Sequence, residues 1–548
     1  MLEGLMQHDH PLTLQLVLER MRGMNGDAEV VTFTGEGTTR ASYAEVGDRV
    51  DRLCRGLQEL GVGAGDRVAT FAWNSRHHLE AYLAVPCMGA VLHTLNIRLF
   101  PEQLVYVVNH AQDKVILVDG SLVDALAEHV EQFETVEHYV VMGDDADVSK
   151  LPGAIAYEEL LERQEPGFDY PTIDDHAAAG LCYTSGTTGN PKGVLYSHRS
   201  NILHTMGQCM ADGMGICRAD RILPVVPMFH ANAWGLPYAA CLAGASLIMP
   251  HRFLQAEPLA RLIESEKVTV AGAVPTIWLD VLRWSDEHKP DLSSIRIVAC
   301  GGAAVPRALM KAFEERHGMR IIQAWGMTET SPLASVAHPP AAAEGEEHWD
   351  YRSTAGRLMP LVQARLMSDD GTEVAWDGET TGELQVRGPW IARTYYEDPE
   401  ADEKFDDGWL RTGDVASIDE RGFIRISDRS KDVIKSGGEW ISSVDLENEL
   451  MGHDAVAEAA VIARPDERWS ERPLACVVFE PGREASVEEL QEHLAARVVK
   501  WWIPEDFAVI DEVPKTSVGK FDKKVLRKRL EEGELETISG SAAHLAQA

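Results

Sequence analysis

Residues 66–72, Asp66-Arg67-Val68-Ala69-Thr70-Phe71-Ala72, form a short run between two segments whose apolar residues recur at helical spacing, Tyr43–Leu60 and His78–Met88. The run reads as a strand between helices. The rhythm continues outward, with buried-strand runs at Val115–Val118 and Tyr139–Met142 separated by further helical segments. It predicts an α/β architecture with largely parallel sheets. No period suggests solenoid repeats. After about residue 360 the texture changes to short strands and turns: Val362–Met367, Asp370-Gly371, Gly382–Arg387, Asp407-Gly408-Trp409 and Arg421-Gly422-Phe423-Ile424-Arg425-Ile426. These predict a small antiparallel sheet or barrel. Asp428–Lys435 is dense in charge and runs into Gly437-Gly438, which marks a domain junction. The hundred or so residues that follow read as a separate α+β unit. The expected fold class is therefore α/β, with a large N-terminal domain of layered α/β sheets carrying a small β-barrel-like part, and a smaller α+β C-terminal domain. The expected boundaries are 1–428, a hinge at 429–435, 436–531, and a polar, alanine-rich tail at 532–548 that reads as disordered, with a short helix as the alternative.

The chain has 548 residues, more than one hydrophobic core normally supports, so at least two domains and room for a buried site are expected. Lys and Arg number 51 against 87 Asp and Glu, a formal net charge of −36. A field of that sign repels nucleic acid and anionic membrane surfaces, which argues against either as the main partner. It also repels ATP and carboxylates, so lysines such as Lys192 and Lys520 stand out as local exceptions. The eight cysteines lack CxxC or cysteine/histidine spacing and read as reduced core thiols. Met1–His10 has neither a basic flank nor a long apolar run, and Leu83–Leu95 is too short and interrupted to span a bilayer. The expected location is the cytoplasm.

The strand-like run Ala178–Tyr183 opens into Thr184-Ser185-Gly186-Thr187-Thr188-Gly189-Asn190-Pro191-Lys192-Gly193. Glycines let successive backbone N–H groups converge on an anion, the hydroxyls add donors, and Lys192 supplies a mobile positive charge. Polyphosphate suits such a loop. The spacing differs from GxxxxGK[ST], because Gly186 and Gly189 are too close and Gly193 stands where a magnesium-binding hydroxyl would follow the lysine.

Four downstream segments join this loop: Gln323-Ala324-Trp325-Gly326-Met327-Thr328-Glu329, Tyr395-Tyr396, Gly408-Trp409-Leu410-Arg411-Thr412-Gly413-Asp414, and Pro514-Lys515-Thr516-Ser517-Val518-Gly519-Lys520. Together with Tyr183–Gly193 they closely resemble the adenylate-forming superfamily of acyl-CoA synthetases, luciferases and peptide-synthetase adenylation domains. Within it the chain is most similar to fatty-acyl-CoA ligases, including the bacterial branch assigned to medium- or long-chain acids and to 3-(methylthio)propanoate. The resemblance implies an ATP-dependent acyl-CoA ligase that proceeds through acyl-AMP, with Mg2+, ATP, a carboxylic acid and CoA bound. An acyl-AMP ligase serving a carrier protein is the enzymatic alternative. It also implies a mobile C-terminal domain and allows a homodimer through the amino-terminal domain.

Residue by residue, the resemblance puts Thr184, Ser185, Gly186, Thr187, Thr188, Gly189 and Lys192 around the phosphates. Trp325 is expected against the adenine, Thr328 on the α-phosphate, and Glu329 with Thr184 on magnesium; Gln323, Ala324, Gly326 and Met327 complete the nucleotide-binding stretch. These side chains suit their tasks, since an aromatic face stacks on a base and a carboxylate is a hard magnesium ligand. Gly301, Gly302 and Ala303 resemble the segment between adenine and acyl chain, and Asp414 with Arg429 the ribose site. His230 is implied to line the acyl pocket near the carboxylate, and Trp234 to gate the acyl tunnel. Lys520 is the residue implied for adenylation, Lys431 the hinge pivot, and Lys435 a nucleotide contact. Gly437, Gly438, Glu439 and Trp440 match the loop that supports thioester formation with CoA.

Overall fold

The computed structural model describes residues 2, 4–7, 9–143, 147–184, 190–368, 370–399, 401–429, 432, 434–436, 439–466, 468–495, 497–515 and 521–539. The strand expected at 66–72 is Arg67–Phe71, and its flanking helices are Tyr43–Glu59 and Arg76–Cys87. The first helix starts at a capping box: the Ser42 side chain accepts from the Glu45 N–H while the Glu45 carboxylate accepts from the Ser42 N–H. Its Val46, Val50, Leu53 and Leu57, spaced three or four apart, are fully buried. Helix Arg76–Cys87 is buried along all of His78–Cys87, so it lies inside the molecule, and its polar Glu80 is met there by Arg49 and Arg76.

Arg67–Phe71 is the central strand of a seven-stranded sheet ordered Ile155–Ala156, His138–Met142, Asp113–Asp119, Arg67–Phe71, Val91–Thr94, Ala178–Tyr183 and Gly193–Ser197. Every pairing is parallel except the last, an antiparallel hairpin in which Tyr183 faces Gly193. The strands at 113–119 and 138–142 contain the runs read from the sequence.

A fourteen-stranded sheet forms the second layer. Its parallel half runs Glu29–Phe33, Ser246–Met249, Arg221–Pro224, Val270–Ala273, Ile297–Cys300 and Ile321–Gly326. Ile321–Gly326 is the seam, parallel to Ile297–Cys300 on one side and antiparallel to Leu333–Val336 on the other. Beyond it lie Gly356–Leu358, Phe423–Arg429, Trp409–Ile418, Gly382–Arg387 and Gln363–Met367, all antiparallel. The antiparallel region expected after residue 360 thus begins at Leu333 and is hydrogen-bonded into the parallel sheet. Carboxyl ends of neighbouring parallel strands are where open α/β sheets bind ligands; the segments at 227–234 and 301–303 follow such ends, and 324–329 spans the end of Ile321–Gly326.

The carboxy-terminal sheet has six strands, dominated by the hairpin Val456–Asp466 and Ser470–Phe479 and beginning with Ile434–Ser436. The tail departs from expectation. Gly533, at φ +72°, reverses the chain after helix Lys523–Glu531, and Thr537–Ser539 then forms an edge strand on Asp506–Val509. Two β-branched residues, Thr537 and Ile538, meet an open strand edge whose backbone groups need partners. Among the described residues no helix is long and apolar enough to cross a membrane. All eight cysteines are free thiols, six of them buried, with Cys209 half-buried and Cys217 exposed.

Candidate active site

Thr184 leaves the strand Ala178–Tyr183 and is tied to the returning chain twice: its N–H donates to the Lys192 carbonyl at 2.9 Å, and its hydroxyl oxygen accepts from the Lys192 N–H at 3.1 Å. The loop is therefore closed at its base, which fixes where both Thr184 and Lys192 emerge. The Lys192 ammonium sits 2.9 Å from Asp398 Oδ2 and 5.1 Å from the centre of the Tyr395 ring. The Tyr396 N–H donates to the Gly193 carbonyl at 2.8 Å, so the segment 395–398 is docked on the loop's outgoing limb.

Tyr395 joins this limb to Glu329. Its hydroxyl donates to Glu329 Oε1 at 2.6 Å, with both side chains buried. Burial, then the charge of Glu329, holds the Tyr395 phenol well above the ordinary tyrosine range, so it stays a donor at every physiological pH. Glu329 sits in the 3-10 turn Thr328–Thr330, whose backbone is held from two sides: the Tyr196 hydroxyl donates to the Thr328 carbonyl at 2.8 Å, and the Ala392 N–H to the Glu329 carbonyl at 2.7 Å. The buried Glu329 carboxylate and the Thr184 hydroxyl at the loop base are hard oxygen ligands, the kind that suits Mg2+ and not a soft metal.

The strand preceding that turn carries Trp325, whose indole N–H donates to Asp414 Oδ2 at 3.0 Å. Asp414 is 2 % exposed on Trp409–Ile418 and faces Arg429 across the neighbouring strand. Two residues named for adenine and ribose are thus in direct contact, although 89 positions separate them. Gln323 Oε1 accepts from the Val305 N–H at 2.8 Å, anchoring the segment after Gly301 to the same strand. Ala324, Gly326 and Met327 are half-buried along it, and Gly302 and Ala303 are exposed.

Trp234 closes the other side. A side chain on Gly301 would lie 2.5 Å from the Ala324 carbonyl and 3.7 Å from Trp234 Cη2, and one on Gly272 would lie 3.7 Å from Trp234 Cε3. Gly272 on one strand and Gly301 just past the end of the adjacent strand therefore make the floor under the indole. Ala231, Asn232, Ala233 and Trp234 all have positive φ, between 42° and 57°, an arrangement costing roughly 1–2 kcal/mol per residue. Gln208 Nε2 holds the turn by donating to the Trp234 carbonyl at 2.5 Å. His230, half-buried, enters the turn with its N–H on the Pro227 carbonyl.

Lys435, Glu439 and Trp440 lie together on a separate hairpin, where Lys435 pairs with Trp440 and Ser436 with Glu439. The Lys435 N–H donates to Glu471 at 2.7 Å. Ser185, Gly186, Thr187, Thr188, Gly189, Lys431, Gly437, Gly438 and Lys520 lie outside the described residues, and of Arg429, Glu439 and Trp440 only the backbone is described. From sequence, Tyr395-Tyr396 carries no identifiable task and Asp398 no signal at all. The run Tyr395-Tyr396-Glu397-Asp398 offers two neighbouring carboxylates, and local spacing does not tell which one meets Lys192.

Residues 18–396 match the family model described as AMP-binding enzyme, and residues 445–520 match the AMP-binding enzyme C-terminal domain. A long-chain-fatty-acid--CoA ligase of Thermus thermophilus is 46% identical over 530 residues, covering 95% of this chain and 96% of that one. A 3-methylmercaptopropionyl-CoA ligase of Ruegeria lacuscaerulensis is 42% identical over 524 residues, covering 94% and 97%. Among solved structures, an anthranilate CoA ligase in complex with anthranoyl-AMP superposes with a TM-score of 0.87 at 25% identity, covering 96% of this chain and 99% of that one.

Proposed function

The chain belongs to the AMP-binding enzymes and is an AMP-forming acid:CoA ligase, and on that premise we propose that its acid is a medium- or long-chain fatty acid activated in the cleft built around Glu329, Trp325 and Trp234. The observation that carries the assignment of the cleft is the single tyrosine, Tyr395, that bonds Glu329 while its ring lies against the Lys192 ammonium. In a chain of net charge −36, a lysine and a buried carboxylate held on the same tyrosine mark a place prepared for phosphate and a divalent cation.

A carboxylate is a poor acyl donor because its negative charge must be displaced. One carboxylate oxygen therefore attacks the α-phosphorus of ATP, a new P–O bond forms, and the bond to the β-phosphate oxygen breaks with release of pyrophosphate. The CoA sulfur then attacks the acyl carbon, the bond to the phosphate oxygen breaks, AMP leaves, and the thiol proton passes to solvent. The first step brings an anion to a polyanion, so preorganised positive charge is the main requirement. Glu329 and Thr184 would hold Mg2+, which supplies charge neutralisation at the phosphates. Trp325 stacks on the adenine, Asp414 and Arg429 bind the ribose, and Thr328 donates to the α-phosphate. Lys192 and residues 185–189 take the outer phosphates, and Lys520 bridges the acid and the α-phosphate. Lys431 is the pivot that lets the hairpin at 434–441 replace Lys520 for the thiol step.

The indole of Trp234 with Leu236 beside it, and the apolar Pro237, Val274 and Pro275, favour an alkyl chain, with His230 toward the carboxylate end; Ile277 and Trp278 pack instead into the core around Phe313. A second reading, 3-(methylthio)propanoate, is favoured by the Ruegeria relative, and this acid is nearly isosteric with a short alkanoate. A chain-length series of kcat/KM that includes it decides: a maximum at eight or more carbons supports the fatty-acid reading, and a maximum at the thioether acid replaces it. Homodimerisation belongs to the same reading, supported by Leu2, Leu5 and Met6 standing fully or largely exposed at the amino-terminal domain. Light scattering of the purified protein measures it.

A further inference from the structure

Residues 516–520 lie outside the described structure, yet both ends of that segment are pinned together. Lys515 and Phe521 form a β-bridge, and the Asp522 N–H donates to the Pro514 carbonyl at 2.7 Å. Whatever sets the helix Lys523–Glu531 in place therefore sets the Lys515–Phe521 bridge that flanks the segment containing Lys520.

That helix is held by its first residue. The Lys523 ammonium, 9% exposed, donates to the Ser443 hydroxyl and lies 2.7 Å from Glu447 Oε1, both on helix Ser443–Leu450. The Ser443 N–H donates to Asp428 Oδ2 at 2.9 Å, and its hydroxyl donates to the same oxygen. Asp428 is 1% exposed and sits on Phe423–Arg429, where it faces Val415, the residue after Asp414. A continuous buried path thus runs from the strand pair carrying Asp414 and Arg429, through Asp428, Ser443 and Lys523, to the base of the Lys520 segment. Glu447 is fixed in turn by the Val461 N–H at 2.7 Å, and Arg527, one turn along the last helix, reaches Asp432 at 2.6 Å. Burial works against the Lys523 ammonium, but Glu447 and Asp428 outweigh it and hold its pKa above the ordinary value.

Apolar side chains of similar volume would pack such a site at least as well, so a charge cluster there points to fixing one geometry. We propose that Lys523, with Asp428, Ser443 and Glu447, is a positioning cluster that ties the Lys515–Phe521 bridge, at the base of the segment bearing Lys520, to the ribose-binding strands and so serves acyl-AMP formation in particular. The inference rests on Lys520 being the adenylating lysine.

The test compares Lys523→Met, the charge-compensated Lys523→Met/Glu447→Leu, and Lys520→Ala in the full-length protein. Acid-dependent pyrophosphate–ATP exchange reads the first half-reaction, and CoA thioester formation from supplied acyl-AMP reads the second. The compensated variant should lose at least tenfold in exchange kcat, keep its KM for ATP within twofold, and retain at least half of its thioester rate. Wild-type exchange in that variant, or equal loss of both half-reactions, overturns the proposal, the latter because it reports a role in folding alone. If Lys520→Ala abolishes exchange while the compensated variant keeps it, only the positioning role fails. If Lys520→Ala itself keeps exchange, the premise fails and the inference with it.

Discussion

Trp325 and Asp414 show what a side chain gains from a partner far along the chain. The indole supplies a flat face for a base, but its N–H also needs an acceptor at 9% exposure, and Asp414 Oδ2 provides one at 3.0 Å. Removing that N–H leaves a buried carboxylate oxygen short of a donor and frees the ring edge, at a cost of about 1–3 kcal/mol. Trp325→Phe should accordingly raise the KM for ATP by roughly tenfold, equivalent to about 1.4 kcal/mol, and lower exchange kcat less; an unchanged KM would show that the pairing does not prepare the nucleotide site. The types of both residues could be read from their motifs, whereas their contact could not, because it exists only once Ile321–Gly326 and Trp409–Ile418 belong to one sheet. Asp398 illustrates the limit further. Its ion pair with Lys192 depends on the Gly193–Tyr396 bridge, and no local pattern announces a bridge between segments 200 residues apart.

At the scale of elements, the turn between Ile321–Gly326 and Leu333–Val336 decides where Thr328 and Glu329 point. A Cβ on Gly326 would fall 1.8 Å from the Pro332 carbonyl oxygen, a backbone atom that no rotamer can move aside. The Thr330 hydroxyl oxygen accepts from the Met327 N–H at 2.9 Å, closing the turn from within. Gly326→Ala must therefore push the strands apart, an overpacking cost of about 1–3 kcal/mol. It should cut pyrophosphate exchange at least a hundredfold while the protein still melts cooperatively; full activity would mean that the turn is not what places Glu329. Helices and parallel strands were legible because burial imposes simple periods, as in Tyr43–Glu59 and Arg67–Phe71. The start of the antiparallel region was not. Ile321–Gly326 carries the same kind of apolar run toward its parallel neighbour as toward its antiparallel one, and alternation does not report strand direction. The edge strand Thr537–Ser539 was missed for a related reason, since a three-residue strand draws its stability from the edge it meets and not from its own composition.

For the whole molecule, the helix His198–Cys209 acts as a cross-tie made of neutral imidazoles. His198 Nδ1 accepts from the Leu14 N–H, and His204 Nε2 accepts from the Leu333 N–H, each at 3.2 Å, so one helix receives bonds from the amino-terminal helix and from the antiparallel half of the large sheet. A protonated ring nitrogen cannot accept, and burial pushes His198 down to about 4 and His204 down to about 3. Above pH 6.5 both rings are neutral folded or unfolded, and nothing is lost. Below it the unfolded chain takes up protons that the fold refuses, so stability falls progressively from pH 6.5 toward those lower values. Glu447, which burial pushes up to about 7, acts in the opposite sense, because its fold binds the proton more tightly than the unfolded chain does. The contribution of one imidazole is therefore best isolated by difference. His204→Gln keeps an acceptor for Leu333 and removes the titration, so the stability gap between wild type and variant should shrink by about 2 kcal/mol between pH 7 and pH 5. Urea midpoints at the two pH values measure it, and a gap independent of pH would mean that His204 is protonated inside the fold and that the Leu333 bond runs through some other atom.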